Sequence, residues 1–415
     1  MIVLGIDGAS PKTVFDWAEK GILPEFAKLL KQSSFGTLWS ISTSSAACWT
    51  SHLTGVRPAR SGVEGFLKGN RFARTDDIQL KTYPELLSER GHRVGLVNMP
   101  ITHPPLTLED GFCVGGQLTP VGSDDYTRPL NLGRELDDYD IGIQYGIRRY
   151  GFVDDELEIP LAQLKEDVLR VATRRINNAR MLMRRLRWDL FALLITGTDS
   201  LQHFFWHQLD TRQAERTAIF ELYRRIDAFV GRLRKDYPKE HLLILSDHGF
   251  QRDYWESSPS HGRIIHRVQA RLGRTVPDRI KQSRLYSYSF DLFTRSAALF
   301  ARPRTVGRPG TTLVHTGNHD RKGVWILAGP GIKRDNHLDI GFLDLNPVIM
   351  YLMDSPIPTC YDGRFVAGIF DHDPRPLYSD SPLAVDRVPA QDEDELAVRE
   401  RLEGLGYIEM VERDK

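Results

Sequence analysis

Short apolar runs that end abruptly in a metal-binding side chain constrain how this chain can fold. MIVLGIDG delivers Asp7, LLITGTDSLQH delivers Asp199 and His203, and LLILSDHGF delivers Asp247 and His248. Each run reads as a buried strand. An open parallel sheet gathers such strand ends along one edge, where α/β proteins place their sites. A sixth candidate ligand, His319, lies in GNHDRKGVWILAGPGI, and a hydroxyl candidate, Ser45, lies in TSSAACWTSHLTG. The set and its order point to a metal-dependent hydrolase.

The rest of the pattern fits that sheet. Residues 2–6 form a strand, and Pro11 starts a helix, where its missing N–H costs nothing. Leu23, Phe26, Leu29 and Leu30 give 22–32 helical spacing, and Ser45–Leu53 is a helix entered through a serine-rich turn and stopped near Gly55. YPELLSERGHRVGLVNMP is a helix followed by a strand at 93–98. A long amphipathic helix covers 161–186, then come a strand at 189–196, a helix at 212–235, and strands at 241–246 and 323–328. Alternation of this kind predicts a three-layer α/β/α sandwich with a mostly parallel central sheet.

Two stretches interrupt the alternation. Residues 100–160, rich in Pro, Gly and Asp, read as an excursion over the sheet edge, and 251–312 as a second insertion; together they form a cap. The catalytic unit is expected to span 1–372. Residues 373–415 form a C-terminal extension, with a helix at 391–403 and LGYI for docking on the core. Between Arg252 and Arg308 there are twelve Lys/Arg against four Asp/Glu. That insertion is either a solvated basic surface or a lid that attracts an anionic substrate.

Composition narrows the partners. Lys+Arg and Asp+Glu both number 55, which argues against global affinity for nucleic acid or membranes. No run of 18 apolar residues occurs, which excludes a transmembrane helix. The start, MIVLGIDG, has neither a basic region nor a long apolar one. Three cysteines, Cys48, Cys113 and Cys360, are odd in number and far apart, which fits a reducing compartment. The expectation is a cytoplasmic protein with a small-molecule partner, and a homodimer is a possible assembly.

Two divalent ions about 4 Å apart can hold a phosphoryl group, ionise a serine and stabilise a leaving oxygen. Mixed carboxylate and imidazole ligands suit zinc or manganese better than calcium or magnesium. Asp199 and His203 could reach one ion from a first helical turn. Asp247 and His248 are adjacent, which needs a sharp turn that Gly249 allows. Taken singly these signals are weak. A lone Asp-x-x-x-His is a surface accident in most proteins, and Asp7 could merely cap the helix after Ser10 and Pro11. Ser45 could likewise be a helix cap without chemistry. Their joint occurrence, in order, carries the reading.

These residues resemble the type I phosphodiesterase/nucleotide pyrophosphatase branch of the alkaline phosphatase superfamily, and within it a bacterial group of predicted phosphohydrolases or phosphomutases. The match runs through GIDGAS, SAACWTSHLTGVRPARSGVEGF, VNMPITHPPL, GGQLTP, GTDSLQHFFW, LSDHGF, NHDRKGVWILAGPGI and FLDLNPVIMYLMDSPIPTCYDG. The resemblance implies the alkaline phosphatase fold and a Ser or Thr nucleophile nine residues before Thr54, which is Ser45 (54 − 9). Ser42, Thr43 and Ser44 then support the loop. It further implies one divalent ion, zinc or else manganese, on Asp199, His203 and His319, and a second on Asp7, Asp247, His248 and the Ser45 oxygen. His319 is preferred to His315 because the family's ligand precedes a glycine by four residues, as His319 precedes Gly323.

The expected reaction is in-line attack by Ser45, a phosphoserine intermediate, and its hydrolysis, with a phosphodiester as the leading substrate. A helix N-terminus at Ser45 would also bring backbone N–H groups to the phosphoryl oxygens. One departure stands out. Relatives that hydrolyse nucleotides carry Asn three residues after the nucleophile, and this chain has Cys48, a poor donor. The sulfatase signature is absent around Ser45. The alternatives are a phosphomonoesterase, a cofactor-independent phosphomutase that returns the phosphoryl group to its substrate, and a non-catalytic metal-binding regulator.

Overall fold

The computed structural model describes the chain apart from residues 70, 121–122, 137–138, 140–151, 154–155, 158–160, 211–216, 253–315, 381–382, 386 and 388–415. The first strand, β1 (Ile2–Ile6), is buried along its whole length. Helix α1 (Pro11–Glu19) follows, capped reciprocally by Ser10 and Thr13. Ser10 does the capping, so Asp7 is left for other work.

The chain continues through α2 (Pro24–Leu30), β2 (Ser33–Trp39), α3 (Ser45–Thr54), α4 (Tyr83–Ser88), β3 (Val94–Val97), β4 (Phe112–Val114) and β5 (Thr127–Arg128). Next come α5 (Leu161–Arg185), β6 (Leu190–Ile195), α6 (Gly197–Phe205), α7 (Ala218–Asp236) and β7 (Leu242–Leu245). After these lie β8 (Gly249–Arg252), β9 (Gly317–Asp320), β10 (Lys322–Ala328), β11 (Asn336–His337), β12 (Ile340–Gly341) and α8 (Leu345–Leu352).

Among the described residues ten strands build one sheet in the order β11-β2-β10-β7-β1-β6-β3-β4-β5, with β12 also on β2. β1 lies parallel to both β6 and β7, β3 is parallel to β6, and β4 is parallel to β3. Only β10, antiparallel to β7 and β2, and β5, antiparallel to β4, reverse the direction. The central sheet is thus mostly parallel, as the alternation of strands and helices predicts.

Alternation along β1 shows why helices cover both faces. Ile2, Leu4 and Ile6 enter a core shared with α1, α2, α5 and α7, while Val3 enters a second core with α3, α4 and α8. A parallel sheet buried on both sides favours such near-continuous apolar runs. Each fully buried Leu or Ile contributes about 1.5–3 kcal/mol relative to exposure. α3 comes unusually close to β1. A Cβ on Gly5 would lie 2.7 Å from the Trp49 ring, so the glycine lets this helix approach the sheet.

Two features differ from the sequence reading. Residues 112–114 and 127–128 do not pass over the sheet edge; they extend it as β4 and β5. Strands of three and two residues are too short to leave a periodic signal. β2 was not expected at all. SSFGTLW mixes serines and glycine into the run, and Gly36 is there because the Leu338 carbonyl would lie 2.2 Å from a Cβ. Of the expected 251–312 insertion, Gln251 and Arg252 belong to β8 and the remainder lies outside the described residues, as does the expected helix at 391–403. No described helix is long and apolar enough to cross a membrane.

Candidate active site

The C-terminal ends of β1, β6 and β7 converge, and each delivers carboxylates or imidazoles. Asp7 is the first residue after β1 and is buried. Gly8 follows with φ +70°, and a Cβ there would lie 2.8 Å from the Phe250 ring. Asp199 and His203 occupy one face of α6, entered directly from β6. Asp247 and His248 link β7 to β8, and both are fully buried. Gly249 is needed here, though not for a left-handed turn as its neighbours suggested. A Cβ at Gly249 would lie 2.1 Å from the Lys322 carbonyl, so the residue permits close approach of β10.

His319 reaches the same place by a different route. It lies within β9, which pairs antiparallel with β8 so that His319 sits opposite Phe250. Ser45 opens α3, and its buried hydroxyl completes the group. All seven residues singled out from the sequence therefore meet. His315, the rejected alternative, lies outside the described residues.

Ser45 Oγ is 3.1 Å from His248 Nε2 and 3.3 Å from Asp7 Oδ1. His248 Nε2 is 3.4 Å from Asp7 Oδ1, 3.3 Å from Asp247 Oδ2 and 3.9 Å from Asp199 Oδ1. His319 Nε2 lies 3.0 Å from both Asp199 Oδ1 and His203 Nε2. His203 Nε2 is in turn 3.6 Å from Asp199 Oδ1.

The three imidazoles share one orientation. Each turns Nδ1 to a backbone carbonyl: His248 to Gly249 at 3.1 Å, His203 to Gly317 at 3.3 Å, and His319 to Thr43 at 2.6 Å. All three present Nε2 to the carboxylates. Metal-binding histidines are held in this way, with one nitrogen fixed by an outer partner and the other offered to the ion.

Burial and mutual repulsion set the charges. Burial, reinforced by Asp247 and Asp199, pushes the Asp7 carboxyl well above its usual range. Burial and the charge of Asp199 push Asp247 up to about 7. Burial also raises Asp199, but His203, His319 and His248 outweigh it and hold that carboxyl low. Burial and His319 push His248 down to about 3. For His319 burial acts downward, yet the Asp199 carboxylate wins and raises it.

A buried acidic cluster of this kind calls for cations, and the donors fit them. Asp247 Oδ2 is buried without a hydrogen-bond partner. Asp199, His248 and His319 bring one donor atom each within 4.8 Å of one another, as do Asp7, Asp247 and His248. The second carboxylate oxygen of Asp7 accepts from Trp49 Nε1 at 3.3 Å, and Asp247 Oδ1 accepts from Gly8 N–H at 3.3 Å. These outer bonds aim the remaining oxygens.

A dependence of stability on pH follows. Folded Asp247, near pH 7, still binds a proton that the unfolded chain has released, and Asp7 and His319 are raised in the same sense. His248 and His52, which burial pushes down to about 3, and His241, lowered by burial as well, oppose them, chiefly below the ordinary value of 6.5. Above pH 6.5 these rings are mostly neutral in both states, so Asp247, Asp7 and His319 leave the native state with the extra protons, and stability falls as pH rises. In chelator, the melting temperature should drop between pH 6.5 and 8.5, and zinc should abolish the drop. A melting temperature that climbs with pH in chelator would contradict this account.

Sequence reasoning missed one contributor, Trp49. Trp49 lies four residues from Ser45 on the same helix face, a spacing that could have flagged it. Thr43 enters the sequence reading only as a loop support; that its carbonyl meets His319 Nδ1 depends on a pairing of distant segments.

A family model for type I phosphodiesterase / nucleotide pyrophosphatase matches residues 1–254, a span that includes every residue of the cluster except His319. No curated protein matches the chain significantly in sequence. Among solved structures, human ectonucleotide pyrophosphatase / phosphodiesterase 5 aligns with a TM-score of 0.50 at 12% identity, covering 90% of this chain and 100% of that one. The alkaline phosphatase PafA aligns with a TM-score of 0.50 at 13% identity, covering 89% and 98%. At such identities the likeness is one of fold.

Proposed function

Because the chain belongs to the type I phosphodiesterase / nucleotide pyrophosphatase family, we propose that it is a two-metal phosphodiesterase with Ser45 as nucleophile. Its activity is hydrolysis of phosphoesters; the metals, the serine and the substrate class are our reading. The observation that carries it is the shared orientation of His203, His248 and His319, Nε2 inward, around three carboxylates and the Ser45 hydroxyl.

One ion would be held by Asp199, His203 and His319, and the other by Asp7, Asp247, His248 and Ser45. When bound, two such ions supply Lewis-acid charge stabilisation and lower the pKa of an attached oxygen, with zinc or manganese the best match to these donors. Ser45 would then release its proton to solvent water and attack phosphorus in line. A Ser45 O–P bond forms as the bond to the leaving oxygen breaks, and water hydrolyses the phosphoserine. Trp49 and Gly8 hold Asp7 and Asp247 in place during these steps. Ser44 makes no side-chain cap on α3, and the first N–H groups of a helix lack helical acceptors. Those groups suit the charge on a phosphoryl group.

Cys48 favours a small phosphodiester over a nucleotide pyrophosphate. Its thiol is spent on the Ser42 carbonyl at 3.3 Å and on Ser40 Oγ at 3.4 Å. It is therefore not the donor that an asparagine at this position provides in the nucleotide-hydrolysing relatives. The test compares bis(p-nitrophenyl) phosphate with p-nitrophenyl phosphate in zinc, manganese and magnesium. We expect preferential turnover of the diester with zinc or manganese. Monoester preference would shift the reading to a phosphatase or mutase, and silence on both substrates with two ions bound would defeat it.

A further inference from the structure

The turn that carries Ser45 is held from outside its own segment. Arg321 lies between β9 and β10, two residues past His319. Its carbonyl accepts the Ser40 N–H at 2.9 Å, one step beyond the Lys322–Trp39 pairing of β10 with β2. Its guanidinium turns back on the same residue, with Nε at 3.1 Å and Nη2 at 2.8 Å donating to the Ser40 carbonyl. Both backbone groups of Ser40 are thus tied to Arg321.

From Ser40 the restraint passes along the turn. Ser40 Oγ donates to the Ser42 carbonyl at 2.5 Å, and the Ser44 N–H donates to Ser42 Oγ at 3.1 Å. Ser45 comes next. Between Ser42 and Ser44, the Thr43 carbonyl accepts from His319 Nδ1 at 2.6 Å. Residues 319–321 therefore hold the turn at two points while also presenting an imidazole to Asp199.

We propose that Arg321 is a positioning residue for the nucleophile, its clamp on Ser40 setting the line along which Ser45 Oγ approaches phosphorus. This rests on Ser45 being the nucleophile. A planar guanidinium can grip one carbonyl from two nitrogens, which a lysine ammonium on a flexible stem does not reproduce. In-line attack depends steeply on placement, and a misplacement of about 1 Å can cost on the order of 10²-fold in rate.

The test uses the full-length, metal-loaded protein and its Arg321→Ala and Arg321→Lys variants, with bis(p-nitrophenyl) phosphate as substrate. Arg321→Ala should lower kcat by about 10²-fold while leaving KM and metal content as they were. Arg321→Lys should recover little of the loss. Millimolar guanidinium chloride should restore part of the kcat of Arg321→Ala and leave the wild type unchanged.

A second readout is independent of turnover. Cys48 is buried and bonded to Ser40 and Ser42. Peptide mapping after iodoacetamide should find it alkylated faster in Arg321→Ala, with partly exposed Cys360 as internal reference. An unchanged kcat, or a raised KM at full kcat, would overturn the proposal, the latter because it marks direct substrate contact. Loss of melting temperature without guanidinium rescue would reduce Arg321 to a structural residue. Activity that survives Ser45→Ala would instead defeat the nucleophile assignment, while Cys48 protection would still report on the clamp.

Discussion

Replacing Ser45 with alanine should lower kcat on a phosphodiester by at least about 10³-fold, roughly 4 kcal/mol of barrier, because the covalent route is removed entirely. The fold should survive. Ser45 opens a helix in which alanine is the best former, and the change deletes a single hydroxyl that meets Asp7 and His248. Ligand removal is not at issue for the other six side chains, so two ions should still bind, the Ser45-bearing site more weakly. Ser45→Thr keeps the hydroxyl and should retain measurable turnover. Steady-state rates, metal content and melting temperature on the same preparations separate these outcomes. Turnover within tenfold of wild type in Ser45→Ala would remove serine from the chemistry and leave a direct attack by water.

His319→Ala tests the other half of the centre. Its Nε2 lies 3.0 Å from Asp199 and from His203, so its loss opens one ligand group and leaves the other, around Asp7, Asp247 and His248, with its donors. Metal content should fall from two equivalents towards one. Turnover should fall by about 10²–10³-fold, since one bound ion is worth several kcal/mol of charge stabilisation. The same change also frees the Thr43 carbonyl from its imidazole partner. His319→Gln can restore a donor to that carbonyl without restoring a good ligand, so it should regain stability and not activity. Two equivalents of metal in His319→Ala would place the ion elsewhere.

The site was legible where chemistry follows an apolar run. Asp7, Asp199 and Asp247 sit just beyond β1, β6 and β7, so a buried strand and its carboxylate appear together in the sequence. His319 lies inside β9, and resemblance to a family was what preferred it to His315. Direction was harder to read than existence. The run at 322–328 is plainly a strand, yet nothing local says that it enters antiparallel between β2 and β7. The clamp of Arg321 on Ser40 was invisible for the same reason. It follows from a register that brings together residues 281 positions apart in the sequence. Cys48 could be read as a missing donor, but its bonds to Ser40 and Ser42 needed the folded turn.

The position of β10 also dictates how the molecule can be made. Among the described residues it is the one strand that pairs with both β2 and β7, so until residues 322–328 leave the ribosome the edges that β2 and β7 turn to it have no partner. Unpaired edges of this kind recruit other chains, and pairing over such a sequence separation is slow. A nascent chain stopped after residue 254, the end of the family match, would carry most of the ligands and none of the strand that joins β2 to the sheet. Synthesis from the N-terminus therefore delivers this joining strand late, after the strands on both sides of it. A holdase that shields β2 and β7 during that interval should raise the yield of soluble protein more than one that acts after release.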